Sequence, residues 1–461
     1  MVEKHLNSET EQTAHQQKKA FWWLSFVAFF SVMNETVFNV ALPDIAKDFG
    51  VQPSAASWVN TGFIISFAVG SMVYSRISDM YGLKRPLVIG LFIYGGGSLL
   101  GLLAHAFFPA VILARFVQGA GASAVPALIM VMITRHIRPE DRGKAFGIVG
   151  SIVAAGEGIG PAIGGMIVHE IHWSFLFLLP MAALLSVPYF SKRLVDETVL
   201  IRNIDVFGIC LLSFAIVMFA LFTTEYHILY MTAGFVAVSG FALHIRRVKH
   251  PFIEPSLLRN RKFVIVVLSG CVLLGTVAGF ISMVPYMMRT VYHMSAGMIG
   301  GGIIFPGTMG VILFGVLSGT LTDRIGNRPV FFLGLSFIAA SFLAAAKFGD
   351  RAPWIMTGLL VFTFCGLSFI KTVISNSTAQ CLKQEEAGAG MGILNFACFL
   401  SEGIGIAFVG GLLSIRAFDM PFLPAMENPE GAIFSDMLYI FTFLAVAGGL
   451  LYVLADRRIK R

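Results

Sequence analysis

Charged residues are scarce in this chain, at 13% of 461 positions, whereas hydrophobic residues account for 56%. An ordinary soluble domain is about 25% charged, so this composition excludes one. The apolar residues form blocks of roughly 17–25, the length that spans a hydrocarbon core. Because a membrane β-barrel would show short alternating segments instead, the sequence predicts an all-α polytopic membrane protein.

The residue patterns of enzymes and metal sites are also missing. The five cysteines are scattered, with no pair at metal-ligand spacing, and the ten histidines form no HxxxH-type cluster. We find no phosphate-binding GxxxxGK[ST] loop, which excludes an ATP-driven pump of that type, and no nucleophile–base set that would indicate an enzyme. We therefore expect neither a bound cofactor nor a fixed metal site.

The apolar blocks predict fourteen membrane spans. They cover residues 21–43, 58–75, 86–105, 109–133, 145–168, 174–190, 207–223, 228–245, 263–288, 298–320, 329–346, 354–375, 390–413 and 433–454. If the N-terminus is cytoplasmic, the cytoplasmic segments hold about 26 of the 33 Lys and Arg residues and the external loops about 5, as the positive-inside rule requires. Both termini are therefore predicted to be cytoplasmic, and the net charge of +7 does not indicate a nucleic-acid partner.

Two halves of the sequence resemble each other. Residues 79–82 align with 323–326 at an offset of 244, and residues 140–148 align with 385–393 at an offset of 245. The two offsets agree to within one residue, which indicates one duplication. The duplication leaves the seventh and eighth spans unpaired, so the spans are arranged as 6+2+6. The predicted domains are a cytoplasmic segment 1–20, a six-helix bundle 21–190, two central helices 191–262, a second bundle 263–454 and a basic tail 455–461. Segment 1–20 is too long and polar for the n-region of a signal peptide, so 21–43 is expected to be a retained helix.

Three acidic residues stand alone inside long apolar runs. They are Glu35, Glu157 and Glu402, and the last two lie in the repeated words Glu-Gly-Ile-Gly. An ionised carboxylate at the bilayer centre is costly and is a functional candidate by default. Helix rise places Glu157 and Glu402 about 18 Å from the start of their spans, near mid-membrane. Burial favours the protonated form of such an acid, whereas an approaching cation favours the ionised form, so proton and cation would compete for it.

Two short loops carry a second repeated pattern. Residues 75–85 follow the second span and residues 319–328 follow the tenth. An Asp at a helix end can accept backbone N–H bonds and attract cations, and a glycine permits positive φ in a tight turn. We interpret these loops as gates, with the candidate residues Asp79, Gly82, Arg85, Asp323, Arg324, Gly326 and Arg328.

The pattern Gly-x-Leu-x-Asp-Arg-x-Gly-x-Arg at 319–328 resembles the signature loop of the major facilitator superfamily. Segments 115–121 and 156–165 resemble its fourth-helix motif and the fifth-helix motif of its drug/proton antiporters. Segment 34–43 resembles the first-helix motif of the fourteen-span group. That motif usually has Asp where this chain has Asn34. The acid of this chain is one position later, at Glu35, which lies about 100° further around a helix. The resemblance implies a transporter that alternates between inward and outward openings.

Later segments narrow the resemblance. Residues 304–309, 371–375, 386–391 and 401–403 are similar to the Gram-positive tetracycline efflux proteins of classes L and K. That similarity implies proton-coupled export of a divalent metal–tetracycline complex (with Mg²⁺ as part of the substrate) across the bacterial plasma membrane. It also implies possible exchange of Na⁺ or K⁺ for protons as a second activity.

Further polar and glycine positions complete the predicted site. Arg115 lies about 9 Å from the outer end of its span, where it could pair with an acid, relay protons or snorkel. Lys371, near the end of its span, is open to the same alternatives. We place Glu157, Glu402, Glu35 and Arg115 in proton and cation coupling. Candidates for the substrate cavity are Asn39, Gln118, Gly160, Pro161 and Asn395, although interhelical hydrogen bonds, glycine packing and a proline kink explain them as well.

Two other functions remain open at this stage. A multidrug exporter of lipophilic cations in the same fourteen-span group would share these features. A receptor that does not transport would need no buried acids and should show no proton flux when a drug is added.

Overall fold

The structure of this chain is a computed structural model that describes residues 21–38, 41–51, 53–56, 58–193, 205–225, 227–248, 251, 253, 255–294, 298–413 and 431–459. Within these ranges the regular structure is entirely helical. The helices are α1 (21–37), α2 (Leu42–Phe49), α3 (Pro53–Ala56), α4 (Trp58–Tyr81), α5 (Lys84–Leu103), α6 (Phe108–Ala122), α7 (Ala124–His136), α8 (Arg142–Glu170), α9 (Val187–Arg193), α10 (Val206–Glu225), α11 (Ile228–Arg247), α12 (Pro255–Arg259), α13 (Arg261–Tyr292), α14 (Phe305–Ile325), α15 (Asn327–Phe348), α16 (Pro353–Gln380), α17 (Ala387–Leu413) and α18 (Ala432–Ile459). Segments Pro139–Asp141, Trp173–Ser186 and Gln384–Glu386 are 3₁₀-helical, and Ile299–Ile304 is π-helical.

Eleven stretches of the described residues are long and apolar enough to cross a membrane. Each coincides with one predicted span, so those eleven predictions are confirmed by length and composition. The other three predicted spans fall on α1, on α4 and on a shorter apolar stretch, Val206–Phe219, in α10. The structure thus agrees with a polytopic helical protein, and the count of fourteen stays a prediction.

Several predicted spans differ in detail from continuous α-helices. The predicted span 298–320, for example, begins as the π-helical segment Ile299–Ile304. The predicted span 109–133 is divided at Ser123 into α6 and α7. The predicted span 174–190 begins as the 3₁₀ segment Trp173–Ser186 and becomes α-helical only in α9. Pro180 lies inside that 3₁₀ segment, and a proline that lacks an N–H cannot support a regular α-helical ladder there.

Local sequence accounts for several helix ends. Asn260 caps α13, because its side chain accepts a hydrogen bond from the backbone N–H of Phe263 at 3.3 Å. The turns after α4 and α14 contain Gly82 and Gly326 with φ of +71° and +86°, a conformation that only glycine adopts without strain. The expectation of positive φ at Gly82 is therefore confirmed.

The described residues form two compact units. The first comprises residues within 1–137, 160–254 and 384–392, and the second comprises residues within 138–159, 255–383 and 393–461. In the first unit α6 packs on α4 and α5, and α10 packs on α11. In the second unit α16 packs on α14 and α15, while α18 packs on α13 and α15. Large apolar side chains stay exposed, with Leu103 at 73% and Trp354 at 75%, as expected for surfaces that face lipid.

Candidate functional site

Two acids and one lysine come together in the second unit. The Nζ of Lys371 on α16 lies 3.4 Å from Oε1 of Glu402 on α17, which forms an ion pair. Glu157 on α8 interacts electrostatically with both Lys371 and Glu402. Because an ammonium group offsets the mutual repulsion of two carboxylates, the two predicted acids form a single charged cluster.

This ion pair decides between the alternatives that the sequence left open for Lys371. A snorkelling lysine would direct its ammonium to the membrane surface, whereas here the ammonium meets the carboxylate of Glu402. The side chains are 31% and 26% exposed, so the protein does not fully enclose the pair. Our sequence reasoning did not include Lys371 in the site. Its position could have indicated it, because Lys371 and Arg115 are the two basic residues inside predicted spans.

One face of α17 carries polar groups beside this cluster. Asn395 and Cys398 precede Glu402 by seven and four residues, which places them on the same face of the helix. The Nδ2 of Asn395 is buried and has no hydrogen-bond partner within the part of the chain that the structure describes. Since buried donors in folded proteins are almost always satisfied, this amide is a candidate partner for a buried water.

Arg115 forms the buried polar centre of the first unit. Its side chain is fully buried, and its guanidinium carbon lies 4.1 Å and 4.2 Å from the ring centroids of Phe38 and Phe63. Aromatic faces stabilise a cation in this geometry. The guanidinium donates hydrogen bonds to Val59 O at 3.1 Å, Asn34 Oδ1 at 3.2 Å, Asn34 O at 3.2 Å, Gln118 Oε1 at 2.9 Å and Asn60 Oδ1 at 3.5 Å.

The presence of Asn at position 34 and of the acid at position 35 determines which groups surround Arg115. Asn34 is fully buried and faces the guanidinium, whereas Glu35 is half-buried and interacts electrostatically with it. A neutral amide therefore occupies the position at which the first-helix motif that this sequence resembles has Asp. The displaced acid remains close enough to influence the buried charge.

The other cavity candidates have different surroundings. Gln118 is fully buried, accepts a hydrogen bond from Arg115, and donates one to Ser98 Oγ at 2.8 Å. Gly160 packs against α1, where an added Cβ would overlap Thr36 Oγ1. Pro161 lies within α8, which continues from Arg142 to Glu170. Asn39 lies outside the described residues. Geometry thus gives Gln118 and Gly160 packing partners inside the protein, and leaves Asn395 as the candidate with an unsatisfied polar atom.

Asp79 lies at the end of α4, among groups that bind its carboxylate. Its two oxygens accept hydrogen bonds from the backbone N–H groups of Gly388 at 3.0 Å and Ala389 at 2.8 Å, at the start of α17. Arg135 forms an ion pair with the same carboxylate, and Arg76 lies 3.7 Å away. A helix N-terminus carries partial positive charge, so all four partners stabilise the ionised form of Asp79.

Asp323 repeats half of this arrangement in the second unit. Its oxygens accept hydrogen bonds from the backbone N–H groups of Gly143 at 2.9 Å and Lys144 at 2.7 Å, at the start of α8. The residue that corresponds to Arg135 at the repeat offset of 245 is Gln380. Its Oε1 accepts a hydrogen bond from Asn327 Nδ2 at 3.2 Å. Each Asp thus accepts two backbone hydrogen bonds at the start of a helix, whereas the charged side chains around the two residues differ.

The predicted gate arginines differ in burial from the arginine that pairs with Asp79. Arg85, Arg324 and Arg328 are exposed, and Arg135 provides the closest ion pair to Asp79. Sequence reasoning missed Arg135 because it lies 56 residues from Asp79 along the chain, at the end of a different helix. Its place at the end of α7 could have indicated it, since α7 ends in the basic pair Arg135 and His136.

Comparison with known proteins identifies the class. The sequence model of the Major Facilitator Superfamily matches residues 24–406, so the chain belongs to that family. It is therefore a multi-pass membrane protein and a secondary transporter, and not an enzyme. Among the described residues no group of three or more His, Cys, Asp or Glu side chains could hold a metal ion.

Several curated relatives are similar over most of their length. The riboflavin transporter RibZ of Clostridioides difficile is 25% identical over 82% of this chain and 84% of its own. The multidrug transporter protein MdtP of Bacillus subtilis is 24% identical over 86% and 75%. The multidrug resistance protein Stp of Mycobacterium tuberculosis is 25% identical over 84% and 74%.

Solved structures give the same fold. The human organic anion transporter MFSD10 (TETRAN) has a TM-score of 0.64 at 15% identity, over 93% of this chain and 99% of its own. The proton:xylose symporter XylE has a TM-score of 0.66 at 12% identity, over 94% and 95%. At these identities the likeness concerns the fold alone.

Proposed function

We propose that the protein is a proton-coupled antiporter that exports lipophilic cations, including cationic drugs, across a bacterial plasma membrane. The observation that carries this proposal is the cluster of Glu157, Lys371 and Glu402. Two of the relatives described above are named as multidrug transporters, which favours this substrate class over tetracycline. A receptor without transport activity would not need an ion pair inside its helices.

The proposed coupling follows from competition for the same carboxylates. A proton neutralises Glu157 or Glu402, and a cationic substrate instead pairs with the ionised form. Binding of one ligand therefore opposes binding of the other, which is the requirement for exchange. Alternating access would then carry the proton inward and the cation outward. Glu35 and Arg115 are proposed to act as a second charged pair, which responds to the first without contacting the substrate.

The loop carboxylates are proposed to govern conformational change. Asp79 and Asp323 each bind two N–H groups at the start of a helix from the other sequence half. Such bonds are charge-assisted and roughly twice as strong as neutral ones. They would stabilise one conformation of the transporter, and they must break when it opens on that side. We further propose that this side and both termini are cytoplasmic.

A more specific alternative is export of tetracycline. It rests on the similarity of segments 304–309, 371–375, 386–391 and 401–403 to the class L and K efflux proteins. A magnesium–tetracycline chelate is a cation, so the same cluster could accept it. Exchange of Na⁺ or K⁺ for protons would use the same acids. The divalent metal would enter as part of the substrate, and the proton gradient would supply the energy.

Everted membrane vesicles test the proposed function. We would energise them to an acidic interior and follow uptake of ethidium, of tetracycline with Mg²⁺, and of ²²Na⁺. The variants are Glu157→Gln and Glu402→Gln, with Glu385→Gln as a matched control, because Glu385 is exposed in the 3₁₀ turn before α17.

We expect ethidium uptake that an uncoupler abolishes, that both site variants lose and that the control keeps. Uptake of tetracycline together with a failure to take up ethidium would favour tetracycline export as the function. If the intact protein takes up neither drug, or if both site variants transport as well as the wild type, the proposed function is wrong.

A further inference from the structure

Lys371 gives the acid cluster a defined charge. With every group ionised, Glu157 and Glu402 contribute two negative charges and Lys371 one positive charge, so the cluster carries a single net negative charge. One proton neutralises it, and so does one monovalent cation. A divalent cation would leave it positive, which is costly in a membrane interior.

The geometry indicates how this charge is used. The Lys371 ammonium lies 3.4 Å from Glu402 Oε1, at the distance where a substrate cation would bind. Glu157 interacts with both members of the pair. The ion pair is partly exposed, so a substrate can approach it. On the same face of α17, the buried Nδ2 of Asn395 has no hydrogen-bond partner among the described residues.

We propose that Lys371 is a tethered counter-ion that sets the charge of the transported substrate, and that it restricts the site to monovalent organic cations exchanged for single protons. This inference rests on the proposed function and deepens it. Lys371 occupies one of the two carboxylates permanently and leaves the other for either the proton or the substrate. It is a specificity-determining residue.

Ethidium and propidium provide matched probes, because the two dyes share one aromatic ring system and carry one and two positive charges. Each would be measured in proteoliposomes with a fixed pH difference, as an initial rate per transporter. Lys371→Gln removes the counter-ion and leaves the two carboxylates. Lys371→Arg keeps the charge, and Lys347→Gln removes an exposed lysine at the end of α15 as the matched control. Only variants that elute as monodisperse protein are compared.

We expect Lys371→Gln to lower the ratio of ethidium to propidium rates by at least about tenfold, because an uncompensated charge within the membrane is strongly unfavourable. Lys371→Arg and Lys347→Gln should keep the wild-type ratio.

A double variant tests the same inference in the opposite direction. Glu402→Gln alone leaves Glu157 and Lys371, whose charges cancel, and it should not transport ethidium. Adding Lys371→Gln restores a single negative charge at Glu157. We therefore expect the double variant to regain ethidium transport by at least about tenfold over Glu402→Gln, because the charge balance of a desolvated site decides which ion it holds.

The contrary result is equally clear. If Lys371→Gln keeps the wild-type ratio and the double variant stays as inactive as Glu402→Gln, while the wild type still exchanges ethidium for protons, the counter-ion role is wrong and the proposed function stands. If the wild type shows no proton-coupled ethidium transport, the proposed function itself is wrong.

Discussion

Oδ1 of Asp79 accepts a hydrogen bond from the backbone N–H of Gly388 at 3.0 Å, although the two residues are 309 positions apart in the chain. Asp323 makes the equivalent contact with Gly143 at 2.9 Å. In each case the loop carboxylate of one sequence half binds the first turn of a helix from the other half. The duplication is therefore visible in the hydrogen bonds as well as in the sequence.

Neutralising the two loop carboxylates should have unequal effects. Asp79→Asn removes an ion pair with Arg135 and one of two charge-assisted N–H bonds, whereas Asp323→Asn removes only bonds of the second kind. Hydrogen bonds to charged groups contribute about 1.5–3 kcal/mol. We expect Asp79→Asn to reduce ethidium transport and the Tm more than Asp323→Asn does. Equal losses in vesicle uptake and in thermal unfolding would show that the ion pair adds nothing.

The arginine that matters at the first loop should be Arg135 rather than Arg85. Arg135→Ala leaves the mostly buried Asp79, at 7% exposure, without its closest cation. Removing one partner of a buried pair costs about 3–5 kcal/mol, whereas Arg85 is exposed. We expect a lower Tm and slower ethidium uptake for Arg135→Ala, and near wild-type values for Arg85→Ala. A larger effect of Arg85→Ala than of Arg135→Ala would show that Arg85 is the gate arginine, as the sequence pattern suggested.

Two glycines on α8 offer a matched test of close helix packing in the second unit. An added Cβ at Gly147 would overlap the backbone oxygen of Gly315, whereas at Gly150 it would meet nothing within 4 Å. Overpacking of this kind costs about 1–3 kcal/mol. We expect Gly147→Ala to lower the Tm of the detergent-solubilised protein and Gly150→Ala to leave it unchanged or raise it slightly. Identical shifts would mean that α8 and α14 separate easily at this point.

Restoring an acid at position 34 should stabilise the first unit. In Asn34→Asp the carboxylate would occupy the place of Asn34 Oδ1, which now accepts a bond from Arg115 at 3.2 Å. Hydrogen bonds to charged groups are stronger than neutral ones by about 1 kcal/mol, and the buried guanidinium would gain a counter-charge. We expect a higher Tm by fluorescence-monitored unfolding. Asn34→Leu serves as the control, and a fall in Tm for Asn34→Asp as large as for that variant would refute the idea.

Periodicity and composition predicted the helical class and the position of most spans. Apolar runs specify a spanning helix almost by themselves, because every backbone polar group in lipid must be satisfied within the helix. They do not specify regularity, so the 3₁₀ segment at Trp173–Ser186 was missed. The repeat offset of 245 predicted that Glu157 and Glu402 are equivalent. It could not predict that Glu402 pairs with Lys371, or that Glu157 interacts electrostatically with both residues, because these interactions join different helices.

Long-range contacts explain the other omissions. Arg135 and Gly388 contact Asp79 although they are 56 and 309 positions away along the chain. No local sequence pattern indicates which distant residues will meet. Likewise, the sequence placed Gln118 and Gly160 as cavity candidates, whereas the structure gives each a partner inside the protein. A polar or small residue in a span has many uses, and only the packing distinguishes them.

The unequal partners of Asp79 and Asp323 bear on how the two copies can diverge. The first site combines an arginine with two backbone N–H groups, so a change at Asp79 or Arg135 disturbs the other residue as well. At the second site the corresponding position is Gln380, whose amide bonds to Asn327 instead, and the carboxylate binds main-chain N–H groups that most substitutions keep. Natural variation should therefore preserve residues 79 and 135 as a pair, and vary residue 380 independently of residue 323.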